Sequence, residues 1–341
     1  MGASYFKENV EVESMTKDMN LSPEESFIQK INIFRGKELR DYGLFGGLLL
    51  LGIVLAILSP VFLTPSNLLD VILQSSINAI IALGMTFVIA TGGIDLSVGS
   101  VLAFSGIVIG ILLKAGVPWW LCVFCGLGIG VLCGALTGFL IVRGRMQPFI
   151  ATLGTMEIFR GLALITSKGY TMYGFPKVFT LIGAGKVFLI PIPVIILLIT
   201  FIIIRFLFHR CTFGRHIVAI GGNNEAARLC GINVGRSVMQ AYMLCGLLTA
   251  LASILVTARL AAAEPIAGNG AELDAIAAVV MGGTSLSGGG GNIAGTLIGA
   301  LIIGIVRNGL TLLNVPTYYQ ISTIGLIIIA AVLLDGVAKK D

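Results

Sequence analysis

The chain has 341 residues, of which 56% are hydrophobic and 11% charged, with a mean hydropathy of +1.00 and a formal net charge of +5. A water-soluble chain carries about 25% charge, so an ordinary soluble enzyme is excluded. At about 20 residues per span the length predicts an all-α, polytopic membrane bundle of about ten helices, which also excludes a single-anchor receptor.

Residues 1–41 hold 14 of the 39 charged residues, six Lys/Arg and eight Asp/Glu. They read as a polar tail on a membrane domain at 42–338. The first apolar stretch follows only after this tail, so no cleavable signal is expected. Ser22-Pro23-Glu24-Glu25 has the form of a capping box with proline at the first helical position. Phe27, Ile31 and Phe34 then make one apolar stripe beside Lys30, Arg35, Lys37 and Arg40, the pattern of a helix lying on a membrane surface.

Apolar runs cut at turn residues and charges give spans near 43–63, 67–91, 97–114, 119–142, 148–166, 187–208, 237–258, 272–283, 292–313 and 319–336. An even count puts both termini on one side. Basic segments around Lys30 to Arg40, Arg143 and Arg145, Arg210 to Arg236, and Lys339 and Lys340 place that side in the cytoplasm. Trp119, Trp120, Tyr318, Tyr319 and Gln320 fall at the opposite ends, where interfacial anchors are expected. Gly130, Gly134 and Gly138 recur at every fourth residue, as do Gly291, Gly295 and Gly299; such faces let helices approach closely in lipid.

Two segments read as broken helices. An apolar run stops at Gly92-Gly93 and restarts after Asp95 and Ser97, either of which is suited to capping the new helix. The same G-G-x-x-L-S-x-G pattern returns at Gly282 and Gly283, with Ser285 and Ser287, after an apolar stretch too short to span a bilayer. Paired Gly-interrupted segments mark re-entrant elements and the transport pathway. On the fifth span Glu157 and Arg160 stand three apart, the spacing of an intramembrane ion pair. Arg307 and Asn308, in the ninth, have no evident partner.

No G-x-x-x-x-G-K-[ST] phosphate loop occurs, so ATP hydrolysis by this chain is not expected. His209 and His216 are the only histidines, too few for a histidine metal site or a His-based triad. Cys122, Cys125, Cys133 and Cys245 lie in apolar runs and Cys211 and Cys230 in the loop His209 to Arg236, so all six read as free thiols. An ion-coupled secondary transporter or channel, with the broken segments and Glu157 as its coupling or selectivity elements, stays open on these residues alone.

Within that loop, Asn223-Asn224-Glu225-Ala226-Ala227-Arg228-Leu229-Cys230-Gly231 reads as a short helix ended by a left-handed glycine. Its E-A-A-x-x-x-G core resembles the coupling loop of permease subunits in bacterial ATP-binding-cassette importers. Together with G-G-I-D-L-S-V-G, the run from Arg145 to Leu153 and E-L-D-A-I-A-A-V-V-M-G-G-T-S-L from Glu272, it is similar to the ribose-type sugar permeases over about residues 44–338. The resemblance implies a permease without cofactor of its own, paired with a second permease chain in the bacterial inner membrane. It also implies a cytoplasmic tandem ATPase holding ATP and Mg2+, and an extracytoplasmic sugar-binding protein. Carried over, Glu225, Ala226, Ala227 and Gly231 make the ATPase contact. Ribose is the favoured cargo; other pentoses, hexoses, autoinducer sugars and branched-chain amino acids belong to the same wider pattern.

Overall fold

The computed structural model describes residues 46–338; the tail with its expected surface helix lies outside the described residues. Helix α1 (Gly46–Leu58) is followed by α2 (Pro65–Ala90), α3 (Val98–Lys114), α4 (Trp119–Val142) and α5 (Pro148–Ser167). Beyond strand β1 (Met172–Tyr173) come the short helix α6 (Lys177–Ala184), the hairpin β2 (Lys186–Val187) and β3 (Ile190–Pro191), and α7 (Ile192–Arg210). The long loop then folds into α8 (Thr212–Gly222) and α9 (Asn224–Leu229). Helix α10 (Val234–Leu260), β4 (Ala262–Ala263), α11 (Ala271–Met281), α12 (Ile293–Leu312) and α13 (Thr317–Ala338) complete the chain.

Every expected span is met by a helix, but the helices are unequal. Among the described residues six helices (α2, α4, α5, α7, α10 and α12) are long and apolar enough to cross a membrane, while α1 and α3 are shorter apolar helices. Helix α11 has 11 residues, about 16 Å of rise, which is half a bilayer core. It is the half-helix that its short apolar run foretold. Proline opens α2, α5 and α7, where its missing amide leaves no gap in the helix.

Helices α2 and α10 form the centre, each with more than seven-tenths of its most apolar window buried, against 28% for α5 and α7. Helix α10 packs on α4, α2, α3 and α6; α2 packs on α12, α11 and α7 as well. The glycine rows explain how closely. A β-carbon on Gly130 would meet the backbone of Gly246, one on Gly134 the backbone of Tyr242, and one on Gly138 Met239, so α4 lies backbone to backbone on α10. Gly295 and Gly299 do the same for α12 on α11, against Gly282 and Ala278. Polar side chains add specific ties between helices: Thr86 and Thr296 share a hydrogen bond of 3.0 Å, and Ser253 Oγ donates to the Leu102 carbonyl at 2.6 Å.

Candidate functional site

The first break is a helix end followed by a return into the bundle. Helix α2 closes with the amides of Gly92 and Gly93 donating to Ile89 and Val88, and Gly92 takes φ +82°, the left-handed conformation glycine adopts without strain. The chain then turns inward: Asp95 lies beside Cys245 of α10, the residue that Gly84 of α2 also abuts. Asp95 and Ser97 are both buried. The Asp95 carboxylate accepts from the Ser97 amide at 2.9 Å and hydroxyl at 2.6 Å. Neither residue caps α3 with its side chain as expected; Asp95 spends its acceptor on the turn before the helix, and Tyr242 Oη pins that turn by donating to the Ile94 carbonyl at 3.3 Å.

The second break begins alike, displaced by one residue. Helix α11 ends with Gly283 and Thr284 donating to Val280 and Val279, and it is Gly283, at φ +90°, that takes the left-handed place of Gly92. The repeat is thus a shared helix ending, with Gly92 matching Gly283 rather than Gly282. Gly282 instead sits against Gly295 and Thr296, where a β-carbon has no room. Ser285 Oγ accepts from the Ser287 amide at 3.2 Å, and Asn292 caps α12 through the Gly295 amide at 2.9 Å.

The two breaks touch. The Gly289 amide donates to the Ala90 carbonyl at 3.1 Å, Gly288 lies on Gly92, and Gly221 of α8 is wedged against Ala90 and Gly289. Three backbone segments therefore meet at Ala90 and the glycines Gly92, Gly221, Gly288 and Gly289. From Gly221 the chain runs within two residues into the α9 turn.

Helix α9 has the architecture read from its sequence. Asn223 caps it by accepting from the Ala226 amide at 3.0 Å, and Gly231, at φ +81°, ends it with amides donating to Arg228 and, from Ile232, to Ala227. Glu225, Ala226 and Arg228 face outward, Glu225 pairing with Arg228 at 3.4 Å. Ala227 does not: it is buried, and the outward face is completed by Leu229, 84% exposed.

A third irregular segment, not foreseen, follows α10. Gly110 abuts Ala263 while Gly99 abuts Gly268 and Glu272, so five residues after β4 the chain has descended about 16 Å alongside α3. Arg160 explains how this backbone is tolerated inside the bundle. Its guanidinium donates to the carbonyls of Pro265 and Ala267, both at 2.9 Å, which satisfies acceptors left bare by the irregular path. The direct ion pair expected with Glu157 is not made; Glu157 is exposed one turn earlier on α5, where it still acts electrostatically on Arg160. Arg307 and Asn308 do have partners. Arg307 pairs with Asp274 at 2.8 Å, and Asn308 exchanges amide hydrogen bonds of 2.7 and 3.1 Å with Asn67 at the start of α2. Trp119, Trp120, Tyr318 and Tyr319 are exposed at helix ends, whereas Gln320 is buried and donates to the Val315 carbonyl at 2.9 Å.

The family model described as "Branched-chain amino acid transport system / permease component" matches residues 67–332, from the first turn of α2 into α13. The chain belongs to this permease family. The ribose import permease protein RbsC of Bacillus subtilis (strain 168) is 50% identical to it over 299 residues, 87% of this chain and 93% of that protein. Its counterpart in Escherichia coli (strain K12) is 47% identical over 293 residues, 85% and 91% of the two chains. The D-allose transport system permease protein AlsC of Escherichia coli (strain K12) is 44% identical over 301 residues, 87% and 92%. No solved structure matches the chain. The permease is a multi-pass membrane transport protein, and both breaks, the α9 loop and the segment held by Arg160 lie inside the matched region.

Proposed function

We propose that this permease carries ribose into the cell as the membrane subunit of an ATP-binding-cassette importer, working in the inner membrane with both termini in the cytoplasm. The cargo reading is supported by 50% identity to a relative named for ribose import, against 44% for the one named for D-allose. A second permease copy completes the route. A tandem ATPase, which supplies the ATP and Mg2+ chemistry, docks below, and a sugar-binding protein delivers from outside.

The observation that carries the mechanism is the placement of Gly221 between Ala90 and Gly289. Force from the ATPase enters at the outward face of α9, formed by Glu225, Ala226, Arg228 and Leu229, with Gly231 ending the turn. Two residues upstream it reaches a junction of glycines where the ends of α2 and α11 are held by few side chains and slide at low cost. The segments around Gly92, Gly93, Asp95, Ser97, Gly282, Gly283, Ser285 and Ser287 then exchange inward-open and outward-open arrangements, a bistable element biased by the partner's nucleotide state.

Uptake of labelled ribose into liposomes tests this. Permease with its ATPase and binding protein is expected to accumulate ribose on ATP addition, and permease alone to accumulate none. Gradient-driven uptake by the chain alone would overturn the assignment in favour of an ion-coupled transporter.

A further inference from the structure

Helices α3 and α11 begin against each other. Gly99, in the first turn of α3, lies on the backbone of Gly268 and on the carboxylate of Glu272, in the first turn of α11. From this contact the helices part toward opposite ends of the bundle. Helix α3 runs to the β1–β4 pair, where Gly110 abuts Ala263. Helix α11 runs to the end of α2, where Gly282 abuts Thr296, itself bonded to Thr86. Glu272 stands ten residues before Gly282, about 15 Å along the helix, which is half the thickness of a hydrocarbon core. Two helix N-termini thus meet inside the bundle, and neither Ser97 nor Gly270 caps its helix through a side chain.

The meeting point is positive. Each N-terminus carries about half a unit of charge. Arg160, donating to the Pro265 and Ala267 carbonyls just before α11, adds a whole one. Ser100 is fully buried and its hydroxyl has no partner. Gly99 turns to Gly268, while Val101 and Phe104 pack with Phe159 of α5, so Ser100 faces between that segment and α5. Two carboxylates close by are committed elsewhere, Asp95 to Ser97 and Asp274 to Arg307, and Glu157 is exposed. Glu272 is left to balance the charge. One of its oxygens accepts from the Gly270 amide at 3.2 Å, the other lies on Gly99, and the carboxylate acts electrostatically on Arg160. In broken-helix transporters such helix ends hold an anionic group of the cargo; here the anion is the chain's own.

We propose that the paired N-termini of α3 and α11, with Arg160 and Ser100, form a binding site for a small carboxylate, which Glu272 fills from within. This tethered anion holds the starts of the two helices together.

The test is thermal unfolding of the full-length permease in lipid nanodiscs. Glu272→Ala empties the site and is expected to lower the melting temperature by several degrees. Sodium formate is expected to restore most of the loss along a saturating curve, and formamide, its neutral counterpart in shape, to restore none. Glu272→Gln fills the space without the charge, so it is expected to be destabilised and to ignore formate, which also controls for general salt effects. A Glu272→Gln chain as stable as the unmodified one would overturn the proposal, whether or not the Ala variant folds. So would an Ala variant that formate leaves unchanged or that formamide restores equally. Adding Ser100→Ala to Glu272→Ala is expected to move the formate curve about tenfold higher, the worth of a hydrogen bond to a charged acceptor; an unmoved curve would overturn the place of Ser100 in the site. These readouts need neither sugar nor ATPase, so they stand apart from a failure of the complex to import ribose.

Discussion

The amide of Gly289 donates to the carbonyl of Ala90 at 3.1 Å, tying the chain beyond half-helix α11 to the last turn of α2. Gly221 lies against both residues. One backbone position thus senses both helix breaks.

Gly221→Val is therefore expected to cut ribose uptake about tenfold or more, because overpacking against backbone costs about 1–3 kcal/mol and no side chain can swing aside. Gly222→Ala, one residue on, has nothing within 4 Å of its new methyl group and should stay within about twofold. Equal uptake by the two variants, at matched membrane levels, would remove the junction from the mechanism.

Asp274 and Arg307 form a pair in which the carboxylate is only 7% exposed. Losing one partner strands a charge, a loss of about 3–5 kcal/mol for a buried pair. Asp274→Leu and Arg307→Met are each expected to lower the melting temperature of the detergent-solubilised permease by several degrees, and the double variant to recover much of it. Additive losses would show that the pair is not a unit.

The reciprocal amides of Asn67 and Asn308 tie the start of α2 to α12. In a double-mutant cycle of Asn67→Leu and Asn308→Leu, thermal unfolding should reveal a coupling of about 0.6–2 kcal/mol, the range of interhelical hydrogen bonds in membranes. A coupling indistinguishable from zero would make the pair incidental.

On α9, Gly231→Val forces a β-branched residue into a left-handed conformation at a cost of about 1–2 kcal/mol, whereas Gly231→Asn should be better tolerated. Leu229→Asp and Glu225→Lys leave the turn intact and alter only its outward face. Both are expected to weaken co-purification of the ATPase without reducing the permease in the membrane. Undiminished co-purification with both variants would move the docking surface elsewhere.

Much of this molecule was legible along the chain. The ten apolar runs, the glycine rows joining α4 to α10 and α11 to α12, and the cap at Gly231 depend on hydrophobicity, side-chain volume and φ, which belong to a residue and its near neighbours. The direction of Arg160 was not legible, because an ion pair at i, i+3 and two carbonyls more than a hundred positions away compete for one guanidinium, and only the path of the chain beyond α10 brings those carbonyls within reach. The inward turn of Ala227 escaped for the same reason, since six helical residues look alike from every side until something packs on them.

Sequence alone determined that this is a membrane bundle, roughly where its apolar helices lie, and that two of its elements are broken. Tertiary structure decided what the breaks do, because the partners of Ala90, Arg307 and Asn308 lie 199, 33 and 241 positions away. Polar groups inside a membrane must find each other across such distances. Which ones meet is set by how whole helices stack, a property of the assembled bundle and not of any segment within it.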